Sequence, residues 1–173
     1  INMYALSTTY GMPGVTKKMV DSYLMADGTR FTDQPGYSTM GYYMEMQNRD
    51  PRLTQTVRGP QYTRIGGTEK LGPDFTCSHT GYNLTKWVGD ASQDGYNNSY
   101  NDIILFRSAE VYLNFAEAKA ELGTLTQADI DKSIKKLRDR VGMPNLNMAA
   151  ANASPDPYLS SEETGYVNVT GPN

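Results

Sequence analysis

Apolar side chains recur at helical spacing in two consecutive segments, residues 103–123 and residues 126–142, and this pattern predicts two helices joined by a short turn. On a helical wheel, the first segment carries two apolar arcs with a narrow polar strip between them. The second arc consists of Val111, Phe115, Ala118 and Leu122. A surface helix needs only one apolar stripe, so we expect the first helix to be packed on both sides.

The ends of both segments carry helix start and stop signals. Thr126 and Asp129 are spaced as in a capping box, with Asp in place of the usual Glu or Gln. Gly123 is placed to end the first helix, and Gly142 with the following Pro144 to end the second. The apolar face of the second helix can cover one arc of the first. The other arc requires a partner, either from the rest of the chain or from a longer protein.

The remaining sequence is rich in Gly, Pro, Tyr, Asn and Thr, which predicts long loops with few regular elements. We expect a short helix within residues 15–25 and short strands at residues 54–57 and 85–88. The predicted fold class is mainly α with long ordered loops and a few short strands. Residues 1–173 form one partial domain with three parts: a loop-rich, ligand-binding segment at 1–102, a helical hairpin at 103–144 and a loop at 145–173.

Composition narrows the functional classes. The chain has 173 residues, a size typical of one domain, and contains 13 Tyr against 4 Phe. Its net charge of −3 argues against a broad basic surface for nucleic acid. The sequence contains no apolar run long enough for a membrane-spanning helix. Because the first residue is Ile1 and the last three read as a loop, we expect the chain to be part of a longer protein.

Residue types suited to catalysis are sparse. His79 is the single histidine and Cys77 the single cysteine, which excludes an internal disulfide and any multi-His or multi-Cys metal site. A glycoside hydrolase stays open as a remote alternative, because its paired carboxylates are defined by spatial separation. The candidates are Asp74, Asp90, Asp94 and Asp102. Turn formation is the favoured role for all four. We predict no catalytic residue, no metal and no cofactor.

Sugar binding has a clearer physical requirement, which the loops of residues 31–47 and 58–102 meet. Aromatic rings stack on the apolar faces of pyranoses, while amide and carboxylate groups bind the hydroxyls. Both residue types are mixed in these loops. The candidate ligand-binding residues are Trp87, Tyr96, Asn97, Asn98, Tyr100, Asp94 and Tyr42. For Trp87 a place in the core is the competing interpretation.

Short motifs in a fixed order carry a family resemblance. They are DSYLMADG at residues 21–28, RDPRL at 49–53, TGY at 80–82 with KW at 86–87, RSAEV at 107–111 with AEA at 116–118, and RDRVGMP at 138–144. This ordered set resembles the SusD/RagB family of Bacteroidetes outer-membrane lipoproteins. The RDPRL block, which could otherwise form an anion site, is expected to hold a buried ion-pair network that braces the fold.

The resemblance implies both a fold and a function. Family members are much longer, so the chain is expected to be an internal piece from their later half, with a tetratricopeptide-type helical hairpin. The implied function is non-catalytic binding of an oligo- or polysaccharide at the outer-membrane cell surface. Delivery to a SusC-like TonB-dependent transporter would follow, with membrane attachment only through a lipid anchor outside this chain. The alternatives are a peptide-capturing relative and a structural or interaction module.

Overall fold

The computed structural model describes residues 2–102 and 104–160. The fold divides into two compact units, described separately below. The first unit comprises Ile1–Met25 and Arg30–Ile103, and the second comprises Ala26–Thr29 and Ile104–Asn173. Within the described residues the structure is mainly helical, and β pairing is limited to isolated bridges such as Val57 with Leu84. The predicted fold class is therefore confirmed, whereas the tetratricopeptide-type arrangement stays a prediction.

Short helices joined by ordered loops build the first unit. Its α-helices are α1 Asn2–Leu6, α2 Lys17–Ser22, α3 Tyr42–Glu45 and α4 Pro51–Thr54. Its 3-10 turns are Phe31–Asp33, Tyr37–Thr39 and Ala91–Gln93. Local caps explain two of the helix starts. The Thr16 hydroxyl accepts a hydrogen bond from the Met19 amide at 3.3 Å, and the Asp50 carboxylate accepts one from the Arg52 amide at 2.9 Å.

The core of the first unit lies between α2, α3 and α4. Four buried side chains form it: Val20, Met46, Leu53 and Val57. Four partly buried side chains pack against it: Val15, Tyr23, Tyr42 and Tyr82. These residues come from segments far apart in sequence, so the core depends on tertiary contacts rather than on one long helix.

Arg49 braces this core from inside. Its side chain is 6% exposed and donates hydrogen bonds to the carbonyls of Glu45 at 2.6 Å, Val20 at 2.6 Å and Tyr23 at 2.9 Å. Its guanidinium lies 3.7 Å from the centre of the Phe31 ring. Burial lowers the pKa of this guanidinium to about 10. Arg49 therefore ties the ends of α2 and α3 together.

The second unit has helices within both segments predicted to be helical, and the second segment contains two of them. The elements of this unit are α5 Ser108–Glu121, α6 Gln127–Lys132, α7 Ile134–Asp139 and α8 Met148–Ala153. The capping box is confirmed: the Thr126 hydroxyl accepts from the Asp129 amide, and the Asp129 carboxylate accepts from the Thr126 amide at 3.1 Å. Gly123 has φ +64° and Gly142 φ +71°, so both end helices in the left-handed region that glycine favours.

Helix α5 differs from the prediction at its start. It begins at Ser108 rather than at residue 103, and residues 104–107 are not helical. Leu105 and Phe106 are 80% and 88% exposed, so no packing favours a helical turn there. The described residues supply no partner for the second arc, which leaves a longer protein as the alternative for covering it. Ala116 is the buried residue of α5, whereas Val111 and the rest of the second arc are exposed.

Several other predicted elements also differ from the structure. The second helix is interrupted at Ser133, whose φ of −121° and ψ of −86° are not helical. Neither predicted strand forms: Thr54 ends α4, and Trp87 has a φ of +68°, which no strand accommodates. Helix α8 lies where a loop was predicted, started by an Asn147 cap. Residues 161–173 of that predicted loop lie outside the described residues.

Candidate ligand-binding site

Most of the predicted sugar-binding residues lie on one surface loop of the first unit, residues 87–101, which we call the aromatic loop. Three aromatic side chains are exposed on it: Trp87 by 42%, Tyr96 by 77% and Tyr100 by 73%. Asn97 and Asn98 are also exposed. The exposure of Trp87 argues against a core role. The loop thus carries aromatic faces and amide groups in the combination that pyranose recognition requires.

Two side chains from other segments hold the start of the aromatic loop in place. Arg64 donates to the carbonyls of Gly89 at 3.0 Å and Asp90 at 2.8 Å, and to the Asp94 carboxylate at 2.8 Å. Buried Asn2 donates to Asp90 at 3.0 Å and to Asp94 at 3.1 Å, and accepts from the Gly89 amide at 2.8 Å. We call Arg64 and Asn2 the loop clamp.

The clamp changes the interpretation of Asp94. Its hydrogen bonds from Arg64 hold the pKa of Asp94 below its ordinary value. Both carboxylate oxygens accept hydrogen bonds within the protein, so Asp94 helps to position the loop, and its contact with a ligand stays a prediction. Arg64 and Asn2 were missed at the sequence level, since they lie 30 and 92 residues from Asp94.

The later part of the aromatic loop is held by side-chain amides. Asn101 donates to the Trp87 carbonyl at 2.9 Å, and Asn98 donates to the Ser92 carbonyl at 3.4 Å. Trp87 lies in the left-handed region with φ +68°, which is uncommon for a bulky residue. Such a backbone persists only when its surroundings determine it, so the orientation of Trp87 is set by the loop as a whole.

Tyr42 does not join the aromatic loop. Its ring lies against the core of the first unit, and its hydroxyl donates to the Arg58 carbonyl. Burial raises the pKa of Tyr42 to about 12. Tyr42 instead lines a cavity of about 310 Å³, which we call the Phe75 pocket. The pocket is lined by Lys17, Met40, Tyr42, Glu45, Pro73, Phe75, Thr80, Gly81 and Tyr82.

Charged groups at the Phe75 pocket neutralise one another. The Lys17 ammonium lies 3.0 Å from the Asp21 carboxylate and 3.3 Å from that of Glu45. Burial raises the pKa of Asp21, and it also raises that of Tyr82, whose hydroxyl is hydrogen-bonded to Glu45. For Lys17, burial lowers the pKa, but the two carboxylates outweigh it and the pKa is raised. Of the lining residues, Tyr42 was predicted to bind a ligand, and residues 80–82 form the TGY motif, but the sequence did not predict the pocket.

The other residues considered for catalysis or metal binding make structural contacts or are buried. The carboxylates of Asp74 and Asp90 each accept hydrogen bonds from the residue two positions later, as turn formers do. Cys77 is buried, and burial raises the pKa of its thiol. Among the described residues, no group of three or more His, Cys, Asp or Glu side chains is arranged to hold a metal ion. In the same part of the chain, no helix combines the length and apolar character needed to cross a bilayer.

Solved structures with a similar fold come from Bacteroides fragilis NCTC 9343. One is a SusD-like carbohydrate-binding protein, which aligns with a TM-score of 0.58 and 24% identity over 76% of this chain and 28% of its own. Another is a SusD-like protein, with a TM-score of 0.55 and 28% identity over 87% of this chain and 31% of its own. This chain thus spans less than a third of the length of either. At these identities the similarity establishes the fold.

Two sequence comparisons complement the structural ones. A search of curated proteins gave no significant match. The model of the SusD family matches residues 5–166, nearly the whole chain, and this range contains all the motifs described above. The chain therefore belongs to the SusD family.

Proposed function

We propose that this chain is part of a non-catalytic glycan-binding protein of the bacterial cell surface, and that the aromatic loop contacts the glycan. The observation that carries the proposal is the exposure of Trp87, Tyr96 and Tyr100 beside Asn97 and Asn98 on a loop fixed by internal hydrogen bonds. A fixed loop loses little conformational entropy on binding, which favours affinity. One protein of similar structure, from Bacteroides fragilis, is a carbohydrate-binding protein, which supports the same class of ligand.

Several carboxylates in the first unit support a non-catalytic role. A glycoside hydrolase needs a carboxylic acid with a raised pKa to protonate the leaving group. The pKa of Asp74 and of Asp90 is instead lowered by hydrogen bonds from Thr76 and Ser92, respectively. The pKa of Asp94 is lowered by Arg64. These three candidates are therefore poor acids for that step.

Membership of the SusD family adds a location and a partner to the proposal. Family proteins are associated with the outer membrane of Bacteroidetes. We therefore propose an outer-membrane location, with attachment through a lipid anchor outside this chain, and delivery of the glycan to a SusC-like TonB-dependent transporter. Co-purification of such a transporter with the tagged protein from native membranes tests the partner.

Calorimetric titration with a panel of neutral oligosaccharides, including malto-, cello-, manno- and xylohexaose, tests the glycan function. We expect at least one to bind, and Tyr96→Ala or Tyr100→Ala to weaken its binding about tenfold, or 1.4 kcal/mol, through loss of the aromatic contact. Tyr10→Ala is the matched control, because Tyr10 is 51% exposed and lies outside both loops that were predicted to bind sugar. Absence of binding to every oligosaccharide, or equal loss in the control, would overturn the proposal.

A further inference from the structure

The Phe75 pocket has an aromatic ring fixed at its edge. Phe75 is 69% exposed, yet its ring packs on the backbone of Gly81. A Cβ added at Gly81 would lie 2.7 Å from two ring carbons, and Gly81 has a φ of +75°, so only glycine fits beneath the ring. The ring is therefore supported on one side, while most of its surface faces solvent. A supported, exposed ring provides a stacking surface for an apolar face.

Hydrogen-bonding groups also line this pocket. The rings of Tyr42 and Tyr82 pack with centres 6.0 Å apart and planes tilted by 33°. The hydroxyl of Tyr82 is held by Glu45, and the ammonium of Lys17 binds Glu45 and Asp21. A lysine ammonium has three N–H donors, so two bonds leave one for a ligand. Lys17 and Tyr82 can therefore orient a ligand that stacks on Phe75.

The balance of charge selects the kind of ligand. Lys17 is flanked by two carboxylates that are 5% and 2% exposed, those of Asp21 and Glu45, and both also interact electrostatically with buried Arg49. The two positive and two negative charges cancel. A ligand carboxylate would approach Asp21 and Glu45, and a ligand amine would approach Lys17, so either charge is disfavoured. A neutral ligand with hydroxyl groups meets no such penalty.

The pocket volume sets the size of the ligand. A cavity of about 310 Å³ lies at the lower end of the range of small-molecule pockets, roughly 300–1,000 Å³. This size suits one sugar ring better than an extended chain. We propose that the Phe75 pocket binds a single neutral pyranose ring, stacked on Phe75 and hydrogen-bonded by Lys17 and Tyr82. The proposal takes its ligand class from the proposed glycan function, but it requires no contact with the aromatic loop.

Amide NMR titration of the whole 173-residue chain tests this site directly. The probes are the neutral methyl pyranosides of glucose, galactose and mannose, each with its methyl uronoside and its 2-amino-2-deoxy methyl glycoside as charged counterparts. We expect saturable shifts of the Thr80 and Gly81 amides with at least one neutral probe. The charged counterparts of that sugar should bind at least tenfold more weakly. Absence of shifts at both amides with all three neutral probes overturns the proposal, as does equal binding of charged and neutral probes.

Two variants test whether the aromatic ring of Phe75 contributes to binding of the neutral probe. Phe75→Leu keeps an apolar side chain but removes the aromatic face, and we expect it to weaken binding of the neutral probe at least fivefold with the remaining amide spectrum unchanged. Ile65→Ala, at a residue 65% exposed and outside the pocket, is the control and should bind as the unmodified protein does. Undiminished binding by Phe75→Leu overturns the proposal. If Phe75→Leu alters the overall spectrum, Lys17→Met provides the second variant with the same expected loss and the same criterion.

The same spectra distinguish this site from the aromatic loop. Tyr96→Ala should leave the shifts at Thr80 and Gly81 unchanged if the pocket acts independently. Failure of the hexasaccharides to bind, with shifts at Gly81 retained, would contradict the aromatic-loop function and leave the pocket supported. Binding of hexasaccharides with no shift at Gly81 for any neutral pyranoside would contradict the pocket alone.

Discussion

The first unit buries apolar side chains without any long helix, whereas the second unit contains the 14-residue α5 and leaves much of its apolar surface exposed. In the first, Leu53 and Val57 are fully buried between short helices and loops. In the second, Val111 is 64% exposed, Leu113 50% and Phe115 40%. Regular secondary structure and burial are therefore separate properties in this protein.

The difference shows how each unit obtains its order. A helix satisfies its backbone hydrogen bonds internally, so α5 is regular even where its side chains find no neighbour. A loop must obtain partners from elsewhere, and the first unit uses buried polar side chains for this purpose. Arg49 binds three carbonyls of the core, and Arg64 binds two carbonyls of the aromatic loop. Loops organised in this way can hold exposed aromatic rings in defined positions.

The largest expected effect is on the core of the first unit. Leu53→Ala should lower the free energy of unfolding by about 2–5 kcal/mol, because Leu53 is fully buried and the smaller side chain leaves a cavity. Urea denaturation followed by circular dichroism measures this change. Leu122→Ala is the control, since Leu122 is 74% exposed and should change stability by less than about 0.5 kcal/mol. Equal losses in both variants would contradict the contrast between the units.

The second-largest expected loss of stability is at Arg49, whose side chain braces that core. Arg49→Lys keeps the charge but cannot reach three carbonyls in the geometry of a guanidinium, so we expect a loss of about 1–3 kcal/mol from buried groups left without a partner. Arg140→Lys, at an exposed position, provides the control. An unchanged urea midpoint for Arg49→Lys would mean that charge alone, without the fork of hydrogen bonds, is sufficient.

A substitution on the packed side of α5 should lower the free energy of unfolding by a similar or smaller amount than Arg49→Lys. Ala116→Leu should overpack the contact of this helix with its neighbours and cost about 1–3 kcal/mol, because Ala116 is 5% exposed. Ala118→Leu places the same side chain at an exposed position two residues later and should be nearly neutral. The difference between the two denaturation midpoints is the readout. If Ala116→Leu is as stable as Ala118→Leu, α5 has no close contact at Ala116.

A smaller, pH-dependent effect is expected at the loop clamp. The folded-state pKa of Asp94 is lowered, so its contribution to stability is present above its unfolded value near 3.8 and is lost as the pH falls through the folded value. Asp94→Asn should therefore lower the free energy of unfolding at pH 7 by less than about 1 kcal/mol, since the carboxylate is 45% exposed. At a pH below both the folded and the unfolded pKa of Asp94, the substitution should not change the free energy of unfolding. Urea titrations at pH 7 and at a series of lower pH values measure this. A difference that grows towards acid pH would contradict the clamp.

The smallest effect on stability is expected on the exposed arc of α5. Replacing Val111 and Leu122 by Gln should change the free energy of unfolding by less than about 0.5 kcal/mol, because these two side chains of the second arc are 64% and 74% exposed. The same change should reduce binding of a hydrophobic dye, since it removes apolar surface from solvent. Equal dye fluorescence before and after the substitution would indicate that this arc is covered in solution.

Features governed by neighbouring residues were predicted from the sequence. The capping box of Thr126 and Asp129 and the left-handed Gly123 and Gly142 were all placed correctly, since each depends on atoms within a few positions along the chain. The family was recognisable for a similar reason, because its motifs keep their order along the chain.

Features governed by distant residues required the tertiary structure. The start of α5 at Ser108, the left-handed backbone of Trp87 and the use of Asp94 within the loop clamp all depend on partners, or on a lack of partners, far away in the chain. The Phe75 pocket could not be predicted from the sequence for the same reason, because its lining combines Lys17, Glu45 and residues 73–82.

The sequence by itself therefore determined the helical pair, its caps, the family and the aromatic composition of the loops, because these follow from local hydrogen bonding, periodicity and residue type. The tertiary structure decided which rings are exposed, which carboxylates are already engaged and where a cavity remains. Burial and pairing are properties of the space around a side chain, and in the loop-rich first unit that space is formed by segments up to 92 residues apart.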